Sequence, residues 1–136
     1  MLHERNMRFG DYIRKKRLAD PRGLTLSDMS KVLGISLSFL SDIEHKRRRA
    51  FSPDQIELFA DYLELSDEEK AWMYDLASRE SGEIPSDIED IMMYEEAGSM
   101  ARFALRQTKA GNVTEEDWKQ FIRMIEEKKK KDRQDD

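Results

Sequence analysis

The sequence predicts an all-α protein, and three observations carry the prediction. In this chain of 136 residues, β-branched residues are sparse, whereas the helix-favouring Leu, Met, Ala, Glu and Lys dominate. Several segments open with a Ser or Thr followed three positions later by an acid or amide, which is the pattern of a helical capping box. Apolar residues then recur at helical spacing. We therefore expect about seven or eight helices and no strand.

The first three helices are predicted from turn and cap residues. The first begins near Phe9 and ends at the turn sequence 20–23, and Thr25 caps a short second helix. Gly34 lies where a left-handed residue would end the second helix, and Ser36 can cap a third. Two short helices joined by about three residues that include Gly form a helix-turn-helix pattern. The predicted buried residues of these helices are Phe9, Tyr12, Ile13, Leu26, Met29, Val32, Leu33, Leu40 and Ile43.

The later helices are predicted from capping boxes and glycine stops. The boxes begin at Ser52, Ser66, Ser86 and Thr114. The predicted stops are Gly82, Gly98 and Gly111. The last apolar stripe consists of Trp118, Phe121, Ile122 and Ile125. The helices after Gly82 bury too little surface to stand alone, so we expect them to pack on the first part of the chain or on a second copy.

Composition excludes several kinds of site. The chain has no Cys, which rules out disulfide frameworks, thiolate metal sites, Fe–S clusters and cysteine nucleophiles. The two His, His3 and His45, lie in different segments, so we expect no zinc site of the usual kind and no cofactor. No apolar run approaches the roughly 18 residues of a bilayer span, and the start has no apolar signal segment. We therefore expect a soluble, cytoplasmic protein without a membrane contact.

Charge is distributed unevenly along the chain. Residues 1–50 carry 12 basic and 6 acidic side chains, whereas residues 51–136 carry 12 and 23. A basic first part joined to an acidic second part suggests a polyanion-binding region followed by a region with another role. Solvated helix faces without a partner would produce the same pattern, so charge alone leaves both interpretations open.

The stretch LTLSDMSKVLGISLSFLSDIE, residues 24–44, resembles the Xre/Cro-type helix-turn-helix family of bacterial and phage repressors. The basic run 46–49 and the capped fourth helix follow at the family's spacing, so the resemblance covers about residues 9–65. It implies a five-helix repressor-like domain, with its third helix in the DNA major groove, followed by a helical C-terminal extension. We assign residues 1–81 to DNA binding and residues 82–136 to dimerisation or partner binding.

The resemblance also implies residue roles. Leu37, Ser38 and Asp42 match the positions that reach base edges: Leu37 could contact only thymine methyls, Ser38 several base edges, and Asp42 cytosine N4. Alternatively, Leu37 packs on a neighbouring helix and Asp42 pairs with a nearby arginine at the surface. Arg17 and Glu44 match a structural salt bridge between the first and third helices. The residues placed for phosphate or sugar contacts are Thr25, Ser36, Ser41, His45, Lys46 and Arg47.

Catalysis finds no support, because the chain has no Gly-rich phosphate loop and its carboxylates lie mainly at helix starts, where capping explains them. The resemblance implies a DNA-binding transcription regulator, which we expect to be a dimeric repressor that binds double-stranded DNA at an inverted repeat. The alternative is an antitoxin-like protein-neutralising module whose C-terminal half binds a protein, such as a toxin or an anti-repressor protease.

Overall fold

All regular structure in the described part of this computed structural model, residues 6–134 with the backbone only at Gln134, is helical. The prediction of an all-α chain with a helical C-terminal part is confirmed. No described helix is long and apolar enough to cross a membrane. The elements in chain order are α1 Phe9–Ala19, α2 Leu26–Leu33, α3 Leu37–Glu44, α4 Pro53–Tyr62, α5 Asp67–Ser81, α6 Glu89–Tyr94, α7 Glu96–Lys109 and α8 Glu115–Gln134.

The chain divides into two compact units, and the division falls between Glu89 and Asp90. The first unit contains α1 to α5, and the second contains α7, α8 and nearly all of α6. The predicted division of roles between residues 1–81 and 82–136 stays a prediction.

The first unit is built around one hydrophobic core. Helix α1 packs on α3 and α5, α2 packs on α3 and α4, and α4 packs on α5. Phe51, from the loop between α3 and α4, meets Phe9 edge-on with 5.1 Å between ring centroids. Each large side chain that is fully buried contributes about 1.5–3 kcal/mol. Those with the least exposure are Phe9, Ile13, Met29, Leu40, Ile43, Ile56, Phe59, Met73 and Leu76.

Local signals fix the ends of these helices as predicted. Ser52 and Ser66 each form a capping box, with Gln55 and Glu69 respectively. Gly82 ends α5 with a φ of 73°, a left-handed conformation that glycine adopts without steric cost. These three helix ends therefore follow from residues within one turn of each end.

Two predicted boundaries in the later part of the chain are wrong. Ser86 does not begin a helix, because residues 86–88 form a turn in which the amide of Ile88 donates to the carbonyl of Pro85 at 3.1 Å, and α6 starts at Glu89. Gly98 does not end a helix but is buried within α7. A Cβ at position 98 would collide with backbone carbonyl oxygens at the end of α6, so this glycine permits α6 and α7 to touch.

The second unit keeps much apolar surface exposed. The box at Thr114 is formed, since the amide of Asp117 donates to the Thr114 hydroxyl at 3.2 Å and the amide of Thr114 donates to the Asp117 carboxylate at 2.8 Å. The stripe that follows on α8 is not buried, because Phe121, Ile122 and Ile125 all remain substantially exposed. The stripe is therefore largely unburied in a single chain, and its expected packing on a second copy stays a prediction.

Candidate nucleic-acid interface

The geometry of α2, the turn and α3 is set by three cap residues. The Thr25 hydroxyl accepts from the amide of Asp28 at 3.0 Å, while the Asp28 carboxylate accepts from the amide of Thr25 at 2.9 Å. Gly34 has a φ of 68° and reverses the chain after α2. The Ser36 hydroxyl then accepts from the amide of Phe39 at 3.0 Å and starts α3. The turn therefore follows the predicted helix-turn-helix pattern.

A buried ion pair holds α3 against α1. Nε and Nη2 of Arg17 donate to the two carboxylate oxygens of Glu44 at 2.8 and 2.9 Å, and Nη1 donates to the carbonyl of Leu24 at 2.9 Å. The hydrogen bonds to Glu44 raise the pKa of Arg17, so its guanidinium stays charged. The predicted salt bridge between the first and third helices is confirmed. It joins α1, the loop before α2 and the last residue of α3 in one network.

The backbones of α1 and α3 also approach closely. A Cβ on Gly10 would collide with the carbonyl oxygen of Ile43, so only glycine permits this contact. Leu40 and Ile43 are buried on the inner side of α3. One face of α3 is therefore fixed to the domain and the other is directed to solvent.

The outer face of α3 carries the predicted base-reading residues. Leu37 is 50% exposed and lies outside the hydrophobic core, and Ser38 is exposed. Asp42 is partly exposed and lies one helical turn after Ser38, on the same face. Phe39 instead packs against the hydrophobic core, with the guanidinium of Arg48 4.8 Å from its ring centroid.

Asp42 is engaged with the basic loop that follows α3. Its carboxylate lies 3.7 Å from Arg47 and 3.4 Å from Arg48. Partly exposed ion pairs of this kind contribute only about 0–1 kcal/mol, so a stronger partner can replace them. The carboxylate is therefore available to another hydrogen-bond donor, and its loss would also release two arginines.

The residues predicted to contact phosphate lie at the starts of α2 and α3, on α3 and directly after it. Thr25 and Ser36 are exposed; each hydroxyl oxygen accepts an amide, which leaves the hydroxyl proton available to donate to an anion. Nδ1 of the His45 ring donates to the carbonyl oxygen of Ser41 at 2.7 Å. Lys46 has a left-handed φ of 63° and pairs with Asp11 at 3.1 Å. The side chain of Arg47 is 72% exposed.

The Lys46 ammonium and Asp11 influence each other at the start of α1. Partial burial raises the pKa of the Asp11 carboxyl, but the hydrogen bonds from the Arg8 amide and from Lys46 outweigh burial and leave it below 3.8. Asp11 therefore stays ionised and holds Lys46 at the edge of the α3 surface.

A basic cavity of about 650 Å³ lies beside the end of α3 and was not predicted. The loop residues 46–49 form one side, and Arg8 and Arg79 add two more cations from distant parts of the sequence. Arg8 lies 3.7 Å from Glu80, and the Arg79 guanidinium lies 4.8 Å from the Trp72 ring centroid. The run 46–49 could be recognised from sequence, whereas no local pattern links Arg79 to it.

The arrangement suits binding of an anionic polymer. Exposed cations and hydroxyls surround a helix face that carries hydrogen-bonding and apolar side chains, which is the combination that reads DNA. Within the described residues, no cluster of three His, Asp or Glu side chains could hold a metal ion.

One family model agrees with this geometry. Residues 13–70 match the family model described as "Helix-turn-helix". One similar solved structure is described as "SinR protein/SinI protein complex": it is 19% identical, the alignment covers 90% of this chain and 98% of that chain, and the TM-score is 0.41. No curated protein gave a significant match. The match at residues 13–70 confirms the resemblance found in the sequence, and the first unit of this chain therefore contains a DNA-binding helix-turn-helix domain of the Xre/Cro type.

Proposed function

We propose that this protein is a dimeric transcriptional repressor that binds an inverted-repeat operator through α3 in the major groove. The observation that carries the proposal is the division of α3 into two faces. Its inner face is fixed by the buried pair of Arg17 with Glu44, and its outer face presents Ser38 and Asp42 beside a basic loop. A rigid helix with a polar outer face and adjacent cations is what major-groove reading requires.

The base-reading chemistry follows from three side chains. Leu37 offers an apolar contact to a thymine methyl, the Ser38 hydroxyl can donate or accept, and the Asp42 carboxylate can accept only, which suits cytosine N4. On contact with DNA, Asp42 would exchange its arginine partners for a base. Arg47 and Arg48 would then be released toward phosphate oxygens.

Affinity would come mainly from the surrounding cations and hydroxyls. Thr25, Ser36, Ser41, His45, Lys46 and Arg47 are the proposed phosphate and sugar contacts. The basic cavity next to them extends the positive surface through Arg8 and Arg79. Because each phosphate contact releases counterions, binding should weaken steeply as salt rises.

A dimer is proposed on grounds of specificity. A set of three reading residues without Arg or Gln discriminates weakly between sequences. Two half-sites about one DNA turn apart roughly double the specific free energy, and a two-fold protein dimer matches an inverted repeat.

A second candidate function is favoured by the exposed apolar side chains of α7 and α8. An antitoxin-like module would use this surface to bind and neutralise a protein, such as a toxin or an anti-repressor protease, with DNA binding secondary. Large exposed apolar patches mark interaction sites for other proteins as well as for second copies.

Selection from a pool of random duplex DNA at near-physiological salt tests the proposal. Purified full-length protein should retain and enrich an inverted repeat whose half-sites lie about 10 base pairs apart. Enrichment of no sequence, with only weak and salt-sensitive retention, would contradict the proposed function and favour the protein-neutralising candidate.

A further inference from the structure

Helices α7 and α8 each expose several large apolar side chains. Met100 and Phe103 on α7 are 64% and 65% exposed, and Phe121 on α8 is 49% exposed. Ile122 and Ile125 continue this surface along α8. Exposed apolar surface of this extent is a mark of an interaction site.

The two helices form the walls of an apolar groove. They are joined near their connecting turn, where Nε1 of Trp118 donates to the Thr108 hydroxyl at 2.9 Å. The groove between them has a volume of about 480 Å³. Its α7 wall carries the small residues Ala97, Ala101 and Ala104, and its α8 wall carries Phe121. Small side chains on one helix leave holes that bulky side chains of another helix can fill.

The charges of α8 are self-complementary. The first turn is acidic at residues 115–117, the apolar stripe follows, and residues 128–131 are all Lys. If two α8 helices pair antiparallel, the acidic start of each faces the basic end of the other. A parallel pair would place acid against acid and base against base, which is destabilising.

The register of such a pair follows from helical geometry. If the pair is centred on position 123, Phe121 of one copy lies level with Ile125 of the other. Glu115 and Lys129 lie on the same flank of the apolar stripe, and in an antiparallel pair that flank meets its own counterpart. Glu115 also lies 3.6 Å from Lys119 of its own helix, an exposed pair that a charge of the second copy can replace. Arg123 itself is directed away from this stripe, where it binds Glu116 at 2.8 Å.

We propose that the α7–α8 groove is the interface of a symmetric homodimer in which the two α8 helices pack antiparallel. The charge pattern selects a second copy over an unrelated protein, because the same patch complements itself about a two-fold axis. This inference rests on the proposed function in one respect, since it identifies the surface that brings two α3 helices to one operator.

The molar mass of the full-length protein in solution tests the inference. Light scattering after size exclusion should give twice the chain mass of 16.1 kDa. Phe121→Asp places a charge in the proposed interface and should raise the dimer dissociation constant by at least about 30-fold, as substitution of a central interface aromatic does. A monomeric wild-type protein, or a Phe121→Asp variant that dimerises as tightly as wild type, would overturn the inference.

Leu58→Asp is the matched control. Leu58 lies on α4 in the first unit and is 46% exposed, close to the exposure of Phe121, so this variant should remain dimeric. Ile125→Asp provides a second interface variant, and far-UV circular dichroism of each variant checks that helix content is retained. If Leu58→Asp dissociates the dimer and Ile125→Asp does not, the interface lies elsewhere and the inference is wrong.

A charge exchange tests the antiparallel arrangement. Glu115→Lys alone and Lys129→Glu alone should each raise the dissociation constant by about fivefold, because each charge occurs twice in the dimer. The two changes in one chain should restore dimerisation toward the wild-type value. Two single variants whose effects simply add in the double variant would overturn the antiparallel register.

Dimerisation and DNA reading can fail separately. At high protein concentration, Phe121→Asp should still enrich a single half-site from random DNA. At low concentration, the variant should no longer enrich the inverted repeat. A wild-type monomer that enriches a half-site would overturn the dimer interface and leave DNA reading intact. A wild-type dimer that enriches no sequence would overturn the proposed function and leave the interface intact.

Discussion

Glu44→Ala should strongly destabilise the first unit. The substitution removes the two charged hydrogen bonds from Arg17, whose guanidinium is left with the carbonyl of Leu24 as its hydrogen-bond partner. The side chains of Arg17 and Glu44 are 10% and 3% exposed, so water cannot readily replace the carboxylate. Leaving one member of a buried ion pair unpaired costs about 3–5 kcal/mol. This is a large share of the roughly 5–15 kcal/mol that stabilises a typical domain.

Urea unfolding followed by tryptophan fluorescence measures this effect. Trp72 is buried in the first unit and Trp118 belongs to the second, so a Trp118→Phe background restricts the signal to the first unit. With a slope of about 2 kcal/mol per molar urea, Glu44→Ala should lower the unfolding midpoint by about 1.5–2.5 M.

A double variant provides the control for this prediction. Arg17→Met combined with Glu44→Leu removes both charges, and such a replacement of a buried pair is often neutral or stabilising. The double variant should therefore recover most of the stability lost in Glu44→Ala. A midpoint shift below about 0.5 M for Glu44→Ala would refute the reasoning that this pair fixes α3.

Three further changes are predicted. Gly10→Ala should destabilise the first unit by about 1–3 kcal/mol in the same urea assay, because its Cβ would meet the backbone of α3. Arg47→Ala should weaken binding to all DNA sequences similarly and lower the slope of log affinity against log salt by about one, whereas Lys109→Ala, at an exposed position on α7, should not; equal slopes would remove Arg47 from the phosphate contacts. The hydrogen bond from Lys16 holds the pKa of Glu69 below 4.5. The ionised Glu69 therefore stabilises the folded state fully above pH 4.5, and this contribution is lost as the pH falls through the lowered pKa. Glu69→Gln should therefore flatten the acid side of a stability–pH profile, and an unchanged profile would contradict this.

Local sequence signals were sufficient where a boundary depends on neighbouring residues. Thr25, Gly34 and Ser36 define the turn before α3 because capping and left-handed backbone are decided within a few residues. The ion pair of Arg17 with Glu44 needed the family resemblance, since no local pattern links two residues in different helices. By contrast, the exposure of Ser38 and Asp42 could be predicted from the apolar spacing that defines the inner face of α3.

The roles of residues that act through contacts distant in the chain could not be predicted from the sequence. Glycine is typical of a helix end, but Gly98 instead permits a close approach between α6 and α7. That contact depends on tertiary packing. Arg79 joins the loop 46–49 around the basic cavity only because the fold brings α5 to that place. Helical periodicity predicted the stripe that begins at Trp118, but it could not show that most of this stripe stays exposed.

The central claim is that the outer face of α3 reads base edges, and sequence selection with α3 variants tests it most directly. Selection from random DNA should yield different preferred bases within each half-site for Ser38→Ala and for Asp42→Ala than for wild type. Arg48→Ala breaks one ion pair of Asp42 but leaves the carboxylate, so it should keep the wild-type preference while binding more weakly. Identical enriched sequences for wild type, Ser38→Ala and Asp42→Ala would contradict the assignment of α3 as the reading helix.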